Sequence, residues 1–332
     1  MAAFARDGAT AADAAGRADL RHRRLRSGAT PNCASRSLRV PSRNFTNPRR
    51  RRAASRPASQ ASARCRAVSR RLSSVIVCDK RTAEGEVLLN KILDTAWEKR
   101  EGFLFHPEPL SVQVSRARSL GTGDSGGGPV VMADHGDNTA SGGTQDVMSV
   151  IEEAMNQGLE DACAGPICDP GCVEQMIKAG VGAEVTLELG GKIDMPAMGL
   201  KGKPLKVTGK VKAITDGQFV VTGPMATGTT ARMGRTAVLD TGKMQIVVSE
   251  RRAEPYDLGV FTHCGIDPRR KKYVLIKSRQ HFRAGFEPIA KHIVMCDGDG
   301  CTASDLKLFK YTKVKRPLYP FDLDMRLGRN EA

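Results

Sequence analysis

The sequence predicts an α/β protein, a mixed α+β arrangement in which a βαβ-type sheet layer carries a β-rich antiparallel insert and follows a disordered Arg-rich leader. Three observations predict it. Short, wholly apolar runs alternate with helically spaced apolar positions over 129–179 and again over 273–295, the pattern of buried parallel strands joined by helices. Over about 183–250 that pattern gives way to short β-rich runs punctuated by Gly-Gly, Asp-Gly and Thr-Gly turns. Residues 1–73 carry neither period, and Arg, Ser and Ala fill them.

The leader, 1–73, explains the charge. It contains eighteen Arg, no Lys and three acids, Asp7, Asp13 and Asp19. Removing these from the chain's 52 basic and 36 acidic residues leaves 34 and 33, so the formal net charge of +16 belongs to the leader and the rest is close to neutral. A surface that tracks phosphates needs basic residues clustered on a folded domain, and this excludes a nucleic-acid partner for the body. Arg-rich, Ser-rich, acid-poor N-termini without an apolar core resemble organelle transit peptides, which would place the protein in a mitochondrion or plastid. A basic disordered tail and wrongly joined upstream sequence are the alternatives, and with either the expected location is cytoplasmic. No stretch approaches the ~18 continuous apolar residues of a membrane helix, so no membrane partner is expected.

A helix is predicted over 81–100, where Val87, Leu88, Ile92, Leu93, Ala96 and Trp97 form one stripe. Pro107 and Pro109 break the chain before a second short helix over 110–120, and 81–120 reads as a pair of linking helices. The main domain follows over 121–324. It opens with a Gly-rich turn, Gly123-Asp124-Ser125-Gly126-Gly127, which looks superficially like a serine-protease motif but lacks the strand–elbow–helix context and assignable partners. A buried strand over 129–133 then delivers the polar run Asp134-His135-Gly136-Asp137-Asn138. A helix over 145–157, a strand over 162–167 and a helix over 171–179 complete a βαβ unit with a parallel pair. The insert contributes strands over 185–189, 205–214, 218–221, 236–239 and 244–249, read as a mostly antiparallel sheet or a small barrel. From 261 the alternation of strand and helix resumes, with a strand over 273–276, a helix over 278–290 and a strand over 292–295; the tail 316–322 is held extended by its prolines.

The nine cysteines do not form a scaffold. Cys33 and Cys65 lie in the leader, and Cys78, Cys163, Cys168, Cys172, Cys264, Cys296 and Cys301 are scattered through the body without the two close Cys/His pairs of a zinc site. Buried reduced thiols in a cytosolic or organelle-matrix protein are expected.

Two constellations carry chemistry. The run from Asp134 to Asn138, with Gly142-Gly143-Thr144-Gln145-Asp146 behind it, should emerge beyond the carboxyl end of a strand, where open α/β sheets bind ligands. Asp134 and Asp137 are hard-oxygen ligands or general bases, and His135 could ligate a metal or move a proton. Asp and Asn there are equally suited to capping turns and starting the next helix. The second constellation is Lys277-Ser278-Arg279-Gln280-His281-Phe282, again a strand end opening into polar residues. Lys277 or His281 could bind an anion or shuttle a proton, or this could be an exposed first helical turn. The lone His106, His263 and His292 read as structural.

These segments, taken in order, resemble the C-terminal region of the microcystinase C (MlrC-like) metallopeptidase family. The resemblance rests on the 133–146 loop, Gly165-Pro-Ile-Cys-Asp-Pro170, Gly180-Val-Gly182, Gly190-Gly-Lys192, Phe261-Thr-x-x-Gly-Ile-Asp-Pro268, the 277–282 run and Arg316-Pro-Leu-Tyr-Pro320, spread over about two-thirds of the chain. It implies a zinc-dependent peptidase or amidohydrolase acting on small linear peptides, including linearised microcystin. On that pattern Asp134, Asp137 and His281 take catalytic roles, and Asn138, Lys277 and Asp146 contact substrate, with His135 a further metal-ligand candidate. The resemblance also implies a larger N-terminal domain, bearing the His/Asp/Glu zinc ligands, ahead of Trp97. Only about two dozen body-like residues stand there, and 81–120 then reads as a remnant of that domain. Relatives tend to carry Asn-Pro-Gly-Gly-Gly where this loop has Asn138-Thr-Ala-Ser-Gly-Gly143. The expectation is a C-terminal half that works with a separate N-terminal half or as a homo-oligomer, or a catalytically inactive peptide-binding module of the same descent.

Overall fold

A computed structural model of the chain describes residues 82–122 and 127–325, together with positions 37–38, 72–73 and 76. Apart from those isolated positions the leader lies outside the described residues, and so do its transit-peptide reading, Cys33, Cys65, Cys78 and most of the Gly-rich turn, 123–126.

Two helices lead in, α1 (Thr82–Glu98) and α2 (Leu110–Gly121). The central layer is one eight-stranded sheet. Its strands in chain order are β1 (Val130–Asp134), β2 (Ala162–Cys168), β3 (Glu184–Leu189), β4 (Leu205–Thr215), β7 (Thr236–Asp240), β8 (Met244–Ser249), β9 (Tyr273–Ile276) and β10 (His292–Cys296). Between β4 and β7, β5 (Gln218–Val220) and β6 (Thr230–Arg232) form a separate antiparallel pair. The helices of the main domain are α3 (Ser149–Asn156), α4 (Pro170–Ala179), α5 (Gly259–Thr262) and α6 (Arg283–Phe286).

The sheet order is β10-β1-β9-β2-β8-β7-β4-β3. The first five strands are mutually parallel and the last three are added antiparallel. β1 and β2 are parallel as expected, but β9 lies between them, with Tyr273 aligned to both Val130 and Ala162. The β-rich insert is not a separate barrel. β8 pairs with β2 on one side and β7 on the other, so the insert widens the same sheet.

Side-chain alternation sorts the core into two layers. Val130, Met132, Ala162, Ala164, Leu275 and Val294 face α2, α3 and α4, joined by Val150, Ile151, Val173 and Met176. Val131, Ala133, Cys163, Val247, Val274 and Ile276 face the opposite way, under Phe261, Phe282 and Phe286. Coverage of both faces is why these strands read as unbroken apolar runs.

Two helical expectations shift. The helix expected over 145–157 starts at Ser149, because Gln145 sits at φ 61 and the amides of Gln145 and Val147 are taken by Asp137. The helix expected over 278–290 reduces to α6 and a 3-10 turn, Glu287–Ile289. Pro288 lacks an N–H to continue a helix. Gly285 also passes so near Tyr256 that a Cβ there would stand 2.7 Å from its carbonyl oxygen.

Candidate functional site

Five parallel strands end on the same edge, and each releases a polar segment there. β1 gives Asp134 to Asn138, β9 gives Lys277 to His281, β10 leads to Asp297 and Ser304, β2 to Asp169, and β8 to Arg252 and Glu254. This is the edge where open α/β sheets hold ligands. Both constellations picked out in the sequence lie on it.

Lys277 ties them together. Its Nζ donates to Asp134 Oδ2 at 3.0 Å and to the Val147 carbonyl, and lies 3.2 Å from Asp137 Oδ2. An ammonium has three N–H bonds, and all three directions are taken. Burial alone would pull the Lys277 pKa down, but Asp134 and Asp137 outweigh it and hold the ammonium above its ordinary range. Burial pushes the Asp137 carboxyl up, against Lys277 and the amides of Gln145 (2.8 Å) and Val147 (3.1 Å). Asp134 also accepts from the Gly136 amide at 3.2 Å, closing the turn that starts the loop. These three side chains therefore form a buried charged knot fastening the β1 loop to the β9 loop.

Glu254 makes the second tie. No motif singles it out in the sequence, where it sits in an ordinary polar stretch. Its Oε2 accepts from the Ala140 amide at 2.8 Å, its Oε1 from the Ser278 hydroxyl, and His281 Nδ1 lies 3.7 Å from Oε1. One carboxylate thus gathers the turn after Asn138, the β9 loop and His281. Burial raises the Glu254 pKa, opposed by Ser278, Ala140 and His281. A two-point clamp sets its position: Gln145 donates to the Ala253 carbonyl at 2.6 Å and accepts from the Ala253 amide at 2.8 Å. His281 itself is half-exposed, with 48% of its side chain accessible.

Asn138 is buried. Its Nδ2 donates to Ser141 at 2.7 Å, while its Oδ1 meets no donor among the described residues. Asp146 lies behind the loop. Its Oδ2 accepts from the amides of Lys192 and Ile193 at 2.9 and 3.1 Å, which pins the segment after β3. Burial raises its pKa. Asp169 caps α4 through the Cys172 amide at 3.0 Å and accepts from Gly190 at 2.9 Å and Lys192 Nζ at 2.6 Å. Burial would raise its pKa, but these donors reverse the sign and hold it low.

His135 turns towards β10. Its Nδ1 lies 3.2 Å from Ser304 Oγ and 3.4 Å from Asp297 Oδ1, and its ring meets Phe105 edge-on with centroids 5.6 Å apart. Thr302 laces the same segments. Its hydroxyl donates to the carbonyls of His135 or Gly136, at 3.0 and 2.6 Å, and accepts from the Asn138 amide at 2.8 Å. Glycine makes this approach feasible: a Cβ on Gly136 would stand 2.0 Å from the Gly298 carbonyl oxygen, and one on Gly300 2.1 Å from that of Gly136.

Among the described residues the acids and histidines do not gather into a metal centre. No group of three or more His, Cys, Asp or Glu placed to hold an ion occurs among the described residues. Asp134 and Asp137 already share the Lys277 ammonium, which occupies the position a cation would take. The thiols of half-buried Cys168 and buried Cys172 are poor ligands or nucleophiles as they stand, with desolvation raising them to about 11 and about 12. Nor is any described helix long and apolar enough to cross a membrane.

Comparisons with known proteins agree with this layout. A family model described as "MlrC C-terminus" matches residues 132–313, from the middle of β1 to beyond the Thr302 segment. Microcystinase C of Sphingomonas sp is 30% identical over 194 residues, covering 58% of this chain and 36% of its own length. The chain therefore spans about a third of that relative. A solved structure from Mesorhizobium sp. BNC1, provisionally assigned as a metallopeptidase, superposes with a TM-score of 0.60 at 23% identity, over 72% of this chain and 46% of that one. At that identity the likeness concerns the fold.

Proposed function

The chain belongs to the MlrC C-terminus family, and from that premise we propose that it forms the substrate-side half of a zinc-dependent peptidase or amidohydrolase acting on small linear peptides. The observation that carries the reading is the convergence on Glu254: one half-sunk carboxylate holds the turn of Asn138 and stands beside half-exposed His281 at the ligand-binding edge of the sheet. In this reading the Asn138 amide oxygen accepts an N–H of the peptide, because leaving a buried acceptor unpaired costs about 1–3 kcal/mol. His281, within reach of solvent and of Glu254, exchanges a proton with the substrate's amide or the departing amine. Glu254 orients its ring and compensates its charge. Asp134 and Asp137 act through Lys277 by fixing the two loops, since Lys277 has no donor left for a ligand.

The described residues do not supply a metal shell, and zinc ligands would come from a preceding domain or a companion chain. The second reading, a peptide-binding module without catalysis, is favoured by that same donor set. One experiment separates them. Purified full-length chain is incubated with linear peptides and Zn²⁺, and both binding and release of new amino groups are followed. Turnover that falls about 100-fold in His281→Gln supports the hydrolase. Binding without turnover supports the module, and absence of binding sinks both.

A further inference from the structure

Arg279, two residues beyond the buried lysine, has no assigned task and an unusual setting. The side chain is half-buried, and its Nη1 donates to Ser304 Oγ at 2.8 Å. That is one of five guanidinium donors. No carboxylate lies within ion-pair distance of it among the described residues. Arg283, Arg269 and Arg116 are each answered by a carboxylate, Glu287 at 3.0 Å, Asp267 at 2.9 Å and Glu108 at 2.5 Å, while Arg252, on the same edge but exposed, donates to the Gly143 carbonyl at 3.2 Å. Asp297, just past the end of β10, is directed at His135 and accepts from the Ser304 amide at 3.5 Å. A partly desolvated guanidinium without a counter-charge is costly unless an anion completes it.

Its place is as telling as its isolation. Ser304, which holds the guanidinium, is buried and sits two residues from Thr302, which holds the Asn138 amide. Arg279 is thus mounted on the same rim as the Asn138 turn, with His281 two residues further along its own loop. Arginine is the side chain suited to a carboxylate, since its planar fork can donate two parallel hydrogen bonds.

We propose that Arg279, oriented by Ser304, is the carboxylate-recognition residue of this crevice and docks a free carboxylate of a linear peptide. The proposal rests on the peptide reading above and adds what part of the peptide is held.

The test uses the full-length chain and a pool of mixed-sequence tetrapeptides in three forms: free acid, C-terminal amide, and amide with an internal Glu. Binding is read by equilibrium dialysis and mass spectrometry. The free acid should bind about tenfold or more tighter than the amide, and Arg279→Gln should bring the two within about twofold. Arg279→Lys should keep part of the preference, as a point charge replaces the fork. Equal binding of the Glu-containing amide and the acid, with both lost in Arg279→Gln, assigns the docked group to a side-chain carboxylate and supports the same site. Circular dichroism of the variants, unchanged from the parent, ties the loss to recognition. Equal binding of acid and amide by the parent chain, or a preference that survives Arg279→Gln, overturns the proposal and leaves the peptide reading standing. No binding of any form overturns both.

Discussion

The parallel half of the sheet, β10-β1-β9-β2-β8, and the antiparallel wing, β7-β4-β3, share one hydrogen-bonded layer but differ in almost everything else. β1 and β9 are buried at every position, while β3 and β4 alternate between buried and exposed. Helices cover the parallel half on both faces. The wing beyond β7 keeps one face in water, so its sequence shows the period of two that one-sided burial imposes. The buried charges divide the same way. Parallel strands all end on one edge and bring their successors together there, so Asp134, Asp137, Lys277 and Glu254 meet across large sequence distances. Antiparallel strands return their ends alternately to either edge and gather no comparable cluster. What concentrates chemistry here is strand direction rather than any single motif.

That contrast can be broken experimentally. The largest effect is expected from Lys277→Met, which leaves Asp134 and Asp137 buried without their cation and should cost about 3–5 kcal/mol by denaturant unfolding. A cost below about 1 kcal/mol would show that the knot does not hold the two loops. Next, Leu275→Ala in β9 should cost about 2–5 kcal/mol, while Glu188→Ala on the exposed face of β3 should stay within about 0.5 kcal/mol. Similar values for the two would erase the distinction between the halves.

The junction supplies the third test. Asp169 ends β2, caps α4 and grips Gly190 and Lys192 from the wing. Asp169→Ala should cost about 1–3 kcal/mol, read as a shift in unfolding midpoint.

The smallest effects are in pH dependence, where Asp169 at the junction and the carboxylates of the site carry opposite signs. Asp169 has a folded pKa below the ordinary Asp value of 3.8, so its contribution is present above that value and lost as pH falls through the folded one. Glu254, raised by burial above the ordinary Glu value of 4.5, holds its proton longer when folded. Its contribution is present below 4.5 and lost as pH rises through the folded value. Asp137 and Asp146 carry the same sign as Glu254. Glu254→Gln should therefore flatten part of the stability loss that sets in as pH rises above 4.5, measured by denaturation at a series of pH values.

Much of this fold is legible in the amino-acid sequence. The buried strands stand out because burial on both faces leaves an unbroken apolar run, and the helices of 110–179 because one-sided packing leaves a helical stripe. The polar loops are legible because they follow such runs directly. Strand order is not, since nothing local in Tyr273–Ile276 says that it enters between β1 and β2. The 278–290 helix fails because Phe282 and Phe286 have helical spacing, yet Pro288 and the close pass of Gly285 override it. Glu254 escapes notice because its partners lie 114 and 24 residues away, at Ala140 and Ser278. A pairwise meeting of that kind leaves no trace in spacing.

The glycine-to-carbonyl contact between Gly136 and the segment from Gly298 to Gly300 has a mechanical corollary. Two backbones pressed together with no side chain between them have no cushion, and Thr302 stitches them crosswise. Neither can slide without carrying the other. The end of β10 and the Asn138 turn are thereby held in one register, and the Asn138 amide takes its place from a hydroxyl that far along the chain.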